Sequence, residues 1–207
     1  MRLRRHFLAA IACAPLLGAF AAPAFADPVP PAQAKAFIQQ SGDKLVAVVN
    51  SSASVSQKAD QLRTLVNQIV AVDQVGNYVL GRYVHVATPQ QHEEFLKLFH
   101  QLLSYNITYQ IRAYQGITFT VNGASAQGND TVVDTTIASP GKSPVNVGWA
   151  VDEVSGQPKI VDVIVAGTSL RITTRNDYAS VITDHGGNVS ALLSAMQSQI
   201  AKIANKS

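Results

Sequence analysis

The hydrophobic pattern between Tyr78 and Gly116 is the most regular in the chain and predicts a long amphipathic helix. From Phe95 onwards, apolar residues recur at intervals of three and four positions, and polar residues fall on the other face. Thr88 and Pro89 are typical of an N-cap and a first helical position, and Gly116 ends the pattern. Such a helix would contain about 25 residues and measure on the order of 35 Å. We therefore expect the other elements to pack against it.

The flanking segments predict an α+β domain. Two amphipathic helices are expected before the long helix, at 32–50 and from about residue 56 to 70, and two at the end of the chain, at 174–185 and 189–203. From Ile117 the apolar period changes to two, and four strands separated by turn signals follow. The predicted fold is an antiparallel curved sheet of about four strands that is covered by helices on one face.

The first 26 residues have the pattern of a secretory signal peptide. A basic segment with Arg2, Arg4 and Arg5 precedes an apolar stretch, and a small residue on each side of Phe25 marks a cleavage site after Ala26. Ordinary secretion is favoured over the twin-arginine route, because the arginine pair lacks the usual preceding Ser or Thr. We expect a signal peptide at 1–26, a single domain at 27–207, and a periplasmic location.

Removal of the signal changes both the charge and the chemistry of the chain. The full sequence has 16 Lys and Arg against 13 Asp and Glu, and the signal contains three Arg and no acid. The remainder is balanced at 13 against 13, so the charge does not indicate nucleic-acid binding. The single cysteine, Cys13, lies within the signal. Its loss excludes disulfides, thiol catalysis and cysteine-ligated metal sites from the mature chain.

Two separated blocks of sequence carry a family resemblance. The first contains Val79-Leu80-Gly81-Arg82-Tyr83, Ala87-Thr88-Pro89-Gln90-Gln91, Phe95, Phe99, Leu103 and Tyr114-Gln115-Gly116, and the second is the segment from Asp162 to Leu170. In this order they resemble the MlaC family of periplasmic phospholipid-binding proteins, also called the toluene-tolerance auxiliary family. The chain departs from the family pattern at Val84, Ala166 and Ile107, where an aromatic residue, a glutamate and a tyrosine are usual.

The resemblance implies a lipid carrier of NTF2-like or cystatin-like fold without a cofactor or a reaction. Acyl chains of a phospholipid or hopanoid-like lipid would occupy an apolar cavity between the long helix and the sheet. The implied partners are an outer-membrane lipoprotein complex and an inner-membrane ABC transporter complex for lipid transfer. The residues expected to line the cavity or its mouth are apolar or small: Leu80, Tyr83, Phe99, Leu103, Ile107, Ile111, Ala113, Trp149, Ala150, Val151, Ile164 and Thr168.

Two other functions remain open on the sequence. Asp162 stands on an apolar strand, and a buried carboxylate can act as an acid or base in a small NTF2-like enzyme with an apolar substrate. The structural alternative, which we favour, is that Asp162 accepts backbone hydrogen bonds or pairs with Arg82 or Arg175. The third possibility is a periplasmic adaptor with a filled core. No metal site is expected, because His92 and His100 belong to no metal-binding motif.

Overall fold

The computed structural model describes residues 27–109 and 115–204, and within them the chain forms helices, then a sheet, then helices. The predicted signal at 1–26 and residues 110–114 of the predicted long helix lie outside the described residues. The helices are α1 (Pro31–Asn50), α2 (Val55–Ile69), α3 (Val72–Leu80), α4 (Pro89–Tyr109), α5 (Leu170–Asp184) and α6 (Val189–Ala204), with a 3₁₀ helix at Gly81–His85. The strands are β1 (Thr118–Gln127), β2 (Asp130–Ala138), β3 (Val145–Val154), β4 (Gln157–Val165) and β5 (Thr168–Ser169).

Side-chain caps mark the starts of α4 and α5. The predicted start of α4 is confirmed, because Thr88 Oγ1 accepts from the Gln91 N–H at 3.2 Å while Gln91 Oε1 accepts from the Thr88 N–H at 2.9 Å. Helix α5 begins four residues before its predicted start at residue 174. The reason is that Ser169 acts as the N-cap, its Oγ accepting from the Ile172 N–H at 3.0 Å.

The sheet is an antiparallel meander with the strand order β1-β2-β3-β4-β5. The predicted α+β class with a curved antiparallel sheet is confirmed. The pairing register shifts between Val121 and Gly123 in β1 and between Ala150 and Val151 in β3. Such bulges increase the local twist of a sheet. The fifth strand has only two residues, which is why the alternation of the sequence did not indicate it.

Helices contact both faces of the sheet. We use the term inner face for the side of the sheet on which Val133, Trp149 and Val151 pack against α1 and α2. After α2 the chain passes the outer edge of β4, and there the N–H of Ala71 donates to Ile160 O at 3.0 Å. It then continues on the opposite side of the sheet, which we call the outer face. Beyond this crossing Val75 of α3 packs against residues of the outer face. One face is thus covered by α1 and α2 as predicted, and α3 covers part of the other.

Helix α4 lies within a layer of helices. It packs mainly against α6, α2 and α3. Phe95 is fully buried there, with its ring 5.9 Å from that of Phe99 and 6.0 Å from that of Tyr178. This second core, built by α3 to α6, is separate from the core on the inner face. In the described residues, α4 is therefore the centre of the helical layer. No described helix is both long and apolar enough to cross a membrane.

Candidate functional site

The predicted lining residues on the helices lie in the core of the helical layer. Leu80 and Tyr83 are buried there, and Phe99 packs against the same core. Leu103 is half-buried on α4. The side chain of Ile107, and all of Ile111 and Ala113, lie outside the described residues.

The predicted residues on the strands divide between the two faces of the sheet. Trp149 and Val151 belong to the core of the inner face. Ala150 and Ile164 belong to a small cluster on the outer face, and Thr168 is exposed on β5. The structure thus distributes the predicted set over three places, and its contact with lipid stays a prediction.

The inner face carries an apolar layer around the single tryptophan. The Trp149 and Phe119 rings are 6.5 Å apart, and α1 approaches so closely that a Cβ on Gly42 would lie 2.4 Å from the Phe119 ring. Trp149 Nε1 donates to Thr135 Oγ1 at 2.8 Å, and Thr135 Oγ1 donates to the carbonyl of Val147 at 2.9 Å. Because its polar atom is satisfied, Trp149 offers an entirely apolar surface to whatever packs on it.

An open groove of about 530 Å³ lies between α1 and α2. Its floor is apolar, with Val48 and the buried Leu65, and its rim is polar, with Lys44 and Asp60. Its remaining lining residues are Ala47, Gln61, Thr64 and Gln68. Leu65 also packs in the inner-face core, so the groove lies directly above that core.

A second groove, of about 480 Å³, lies on the sheet and is more polar. Val132, Gly148 and Ile164 provide its apolar part. Beside them Asn122 Nδ2 donates to Thr136 Oγ1 at 2.9 Å, and this hydroxyl donates to Asn146 Oδ1 at 3.1 Å. This ladder of polar side chains across three strands suits a hydrated surface better than an acyl chain.

The Asp162 carboxylate is saturated by donors from its own fold. Oδ1 accepts from the Val163 and Arg171 N–H groups at 2.7 and 2.9 Å, and Oδ2 accepts from Ser169 Oγ at 2.5 Å, with Arg171 Nε 3.7 Å away. The side chain is only 5 % exposed. The predicted backbone hydrogen bonds are confirmed. With these contacts Asp162 is placed to hold β4 to the start of α5 rather than to exchange protons with a substrate.

The predicted partner of Asp162 is wrong: Arg171 takes the place given to Arg82 or Arg175. Arg171 also donates from Nη2 to Asp130 Oδ2 at 2.8 Å. Its guanidinium therefore links β2 to β4, with the small Ala150 on the strand between them. Sequence reasoning missed Arg171, whose only signal was its position directly after the second family-like block.

Tyrosine rings hold the other two arginines. The Arg82 guanidinium lies 5.0 Å from the Tyr83 ring centroid and donates to Tyr83 Oη at 2.9 Å. Arg175 lies 5.1 Å from the ring centroid of Tyr78. The hydrogen bond with Thr183, followed by that from Arg82, lowers the pKa of Tyr83. These contacts fix the 3₁₀ helix against α5.

The histidines of α4 join it to α3. His92 Nε2 lies 2.6 Å from Asn77 Oδ1, and His100 Nε2 lies 2.7 Å from Asp73 Oδ1. Among the described residues no group of three or more His, Cys, Asp or Glu side chains could hold a metal ion. The role of these histidines in the described structure is to connect two helices.

Comparison with known proteins identifies the family. A sequence model described as MlaC protein matches residues 39–198, which is most of the chain. The chain belongs to the MlaC family. The match begins within α1 and ends within α6, so it includes the whole sheet and most of both cores of this MlaC-family protein.

Two known proteins are similar to this chain. The intermembrane phospholipid transport system binding protein MlaC of Haemophilus influenzae is 23 % identical over 133 residues, which are 62 % of this chain and 61 % of the relative. The match thus spans about three-fifths of that protein's length. A phospholipid-binding protein of Ralstonia solanacearum, solved in complex with a phospholipid, superposes with a TM-score of 0.74 at 21 % identity, over 83 % of this chain and 99 % of the other. This likeness establishes a shared fold.

Proposed function

We propose that this MlaC-family protein is a periplasmic carrier that binds phospholipid and shuttles it between the two membranes. The observation that carries the proposal is the family match over residues 39–198. The fold shared with a protein crystallised with a phospholipid supports it. The apolar interior beneath α1 and α2 supplies a surface suited to acyl chains.

The energetics of lipid transfer explain why a carrier without chemistry is sufficient. Each CH₂ group that leaves water contributes about 0.8 kcal/mol, so two long acyl chains would cost roughly 20 kcal/mol or more to expose. Unassisted diffusion through an aqueous space is therefore negligible. Transfer from a bilayer to an apolar protein interior exchanges one apolar environment for another, and its free energy is small.

The acyl chains belong, in this proposal, between the α1 and α2 pair and the inner face. The adjacent rings of Trp149 and Phe119 belong to the core there, together with Leu45 and Leu65 of the helices. The described structure is closed, because the Phe119 ring packs against the backbone of α1 at Gly42 and side chains of α1 and the sheet share one core. Lipid binding therefore requires the helices to move away from the sheet.

The partners in this proposal are a lipoprotein complex at the outer membrane and an ABC transporter complex at the inner membrane. The family resemblance and the naming of the Haemophilus relative as part of an intermembrane transport system support them. The predicted signal peptide supports a location in the periplasm, between the two membranes. Catalysis has no part in the proposal, since the donors around Asp162 occupy its carboxylate.

Two measurements test lipid carriage. Native mass spectrometry of protein purified from the periplasm should reveal a bound phospholipid. Delipidated protein should then extract lipid from phosphatidylcholine vesicles, and lipid brominated on its acyl chains should quench the fluorescence of Trp149, the single tryptophan. Lipid brominated on the head group is the control and should quench less. Protein that is consistently ligand-free and takes no lipid from vesicles would contradict the proposal.

A further inference from the structure

We infer that acyl chains enter and leave through the groove between α1 and α2, by separation of these two helices. The inference rests on the proposed lipid-carrier function and adds a route to it. It concerns the groove of about 530 Å³ described above, a volume within the usual range for small-molecule sites.

The groove is separated from the interior by a thin layer of side chains. Leu65 lines the groove, is 7 % exposed, and packs in the same cluster as Val133 and Val151 of the inner face. Leu45 packs both in that cluster and in the smaller one between α1 and α2. A small outward shift of either helix would therefore connect the groove to the layer around Trp149.

The bonds around the groove allow such a shift. The Asp60 carboxylate pairs with Arg63 Nη1 at 2.9 Å, and the backbone carbonyl of Asp60 accepts from Thr64 Oγ1 at 3.0 Å. Both contacts are within α2. Lys44, on the α1 side, forms no ion pair with Asp60 in the described part of the chain. The polar groups that face each other across the groove are thus bonded within their own helix or exposed.

The ends of the two helices are fixed more firmly than the groove. The buried Lys58 of α2 donates from Nζ to the Val49 carbonyl of α1 at 2.7 Å, beside the connecting loop. Asn50 Oδ1 accepts from the Gly116 N–H at 2.8 Å. Val70, just after α2, forms a bridge with Ile160 of β4. The groove begins beside the contact between Lys58 and Val49 and continues along α2 towards Val70, and among the described residues no hydrogen bond or ion pair joins α1 to α2 across it, so the two helices can separate there.

The composition of the groove fits a lipid that passes tail first. Val48 and Leu65 offer an apolar floor, and the side chain of Ala47 is too small to close the path. Lys44 and Asp60 at the rim can remain hydrated beside the head group. A chain drawn along this floor would replace water contacts with apolar contacts at each step.

A chemical link across the groove tests the route. The cysteine-free mature chain would carry the exposed substitutions Ala47→Cys and Thr64→Cys and be joined after folding by a short bis-maleimide. The matched control is Asp73→Cys with His100→Cys, which links α3 to α4 where the native side chains lie 2.7 Å apart. The readout is quenching of Trp149 by vesicles of phosphatidylcholine brominated on its acyl chains.

The expected result is that the link between α1 and α2 slows lipid uptake, and the release of lipid loaded beforehand, at least tenfold. The control link should leave both rates within twofold. Uptake through the linked groove at the unlinked rate would overturn the route while leaving lipid carriage intact. Absence of uptake by the unlinked protein would instead contradict lipid carriage itself, and the route with it.

Discussion

Asp162 shows how one carboxylate organises three elements. It lies on β4, accepts from Ser169 of β5 and pairs with Arg171 of α5. The nearly continuous apolar sequence of β4 predicted its burial, and its polarity predicted that donors would surround it. Its partner was not predictable, because tertiary packing decides which arginine reaches the carboxylate: the structure brings Arg171 to it, and Arg82 and Arg175 lie elsewhere against tyrosine rings.

Asp162→Asn should destabilise the protein by about 3 kcal/mol, because the substitution removes the charge that compensates the partly buried Arg171. Urea unfolding followed by circular dichroism measures the change. Asp134→Asn, at an exposed position on β2, is the control and should change stability by less than about 0.5 kcal/mol. If Asp162→Asn abolished a measurable turnover at unchanged stability, the enzyme hypothesis would replace the structural one.

Tyr178 should make the protein sensitive to alkaline pH. Burial, followed by the charge of Asp177, raises the pKa of Tyr178 to about 12 from an ordinary value of 10.0. Above pH 10 the unfolded chain loses this phenolic proton while the folded chain keeps it, so stability should fall between pH 10 and 12, by about 2 to 3 kcal/mol. Comparison of wild type with Tyr178→Phe by urea unfolding isolates the effect. An equal decline in both proteins would assign it to other groups.

At the scale of elements, local signals predicted most helices and strands, but not the start of α5, the two-residue strand β5 or the packing. The caps at Thr88 and Asn188 are contacts within a few residues, and each was readable from the sequence. The periodicity of α4 showed that it has an apolar face. It could not show which element covers that face, because an apolar stripe on a helix can pack against either a sheet or another helix. In the structure, other helices cover it.

The contact between α1 and β1 gives a prediction on glycine. Gly42→Ala should destabilise the protein by about 2 kcal/mol although alanine favours a helix, because the new methyl group would meet the ring of Phe119. Gly76→Ala in α3 is the matched control. Its methyl group would meet the terminal Cδ2 of Leu96, which a rotamer change can displace, and would touch the Phe99 and Phe95 rings at ordinary contact distances, so its stability should be unchanged or slightly higher. Thermal unfolding compares the two, and equal stability of both variants would contradict close packing of α1 on the sheet.

At the scale of the whole molecule, the sheet was predictable because each strand pairs with the next one in sequence. The two-residue turn at Ser155-Gly156 signals the pairing of β3 with β4 directly, but the similar signal at Asn122-Gly123 is wrong, because β1 continues through it with a bulge. The lining of a lipid site was harder to predict, because the core and a cavity wall use the same aliphatic residues. The twelve predicted residues therefore mix two cores, both sheet faces and positions outside the described residues.

Signal removal should be visible in the charge of the purified protein. The full chain carries a formal charge of +3, and loss of its first 26 residues removes three arginines and no acid. Periplasmic protein should therefore focus near neutral pH and have an intact mass that begins at Asp27. A protein that retains the basic pI and the full mass would contradict cleavage after Ala26.

The hydrogen bond from Thr131 Oγ1 to the Val29 carbonyl joins residues 102 positions apart. It reflects a general feature of the chain: the apolar sides of α1 and α2 are covered by strands that are synthesised much later. Before β2 to β4 have been synthesised, the hydrophobic side chains of α1 and α2 have no sheet to pack against and are exposed to water. The amino-terminal third of the chain therefore cannot complete its core until the strands have been synthesised, and it is the part of the nascent protein that we expect to be most prone to aggregation.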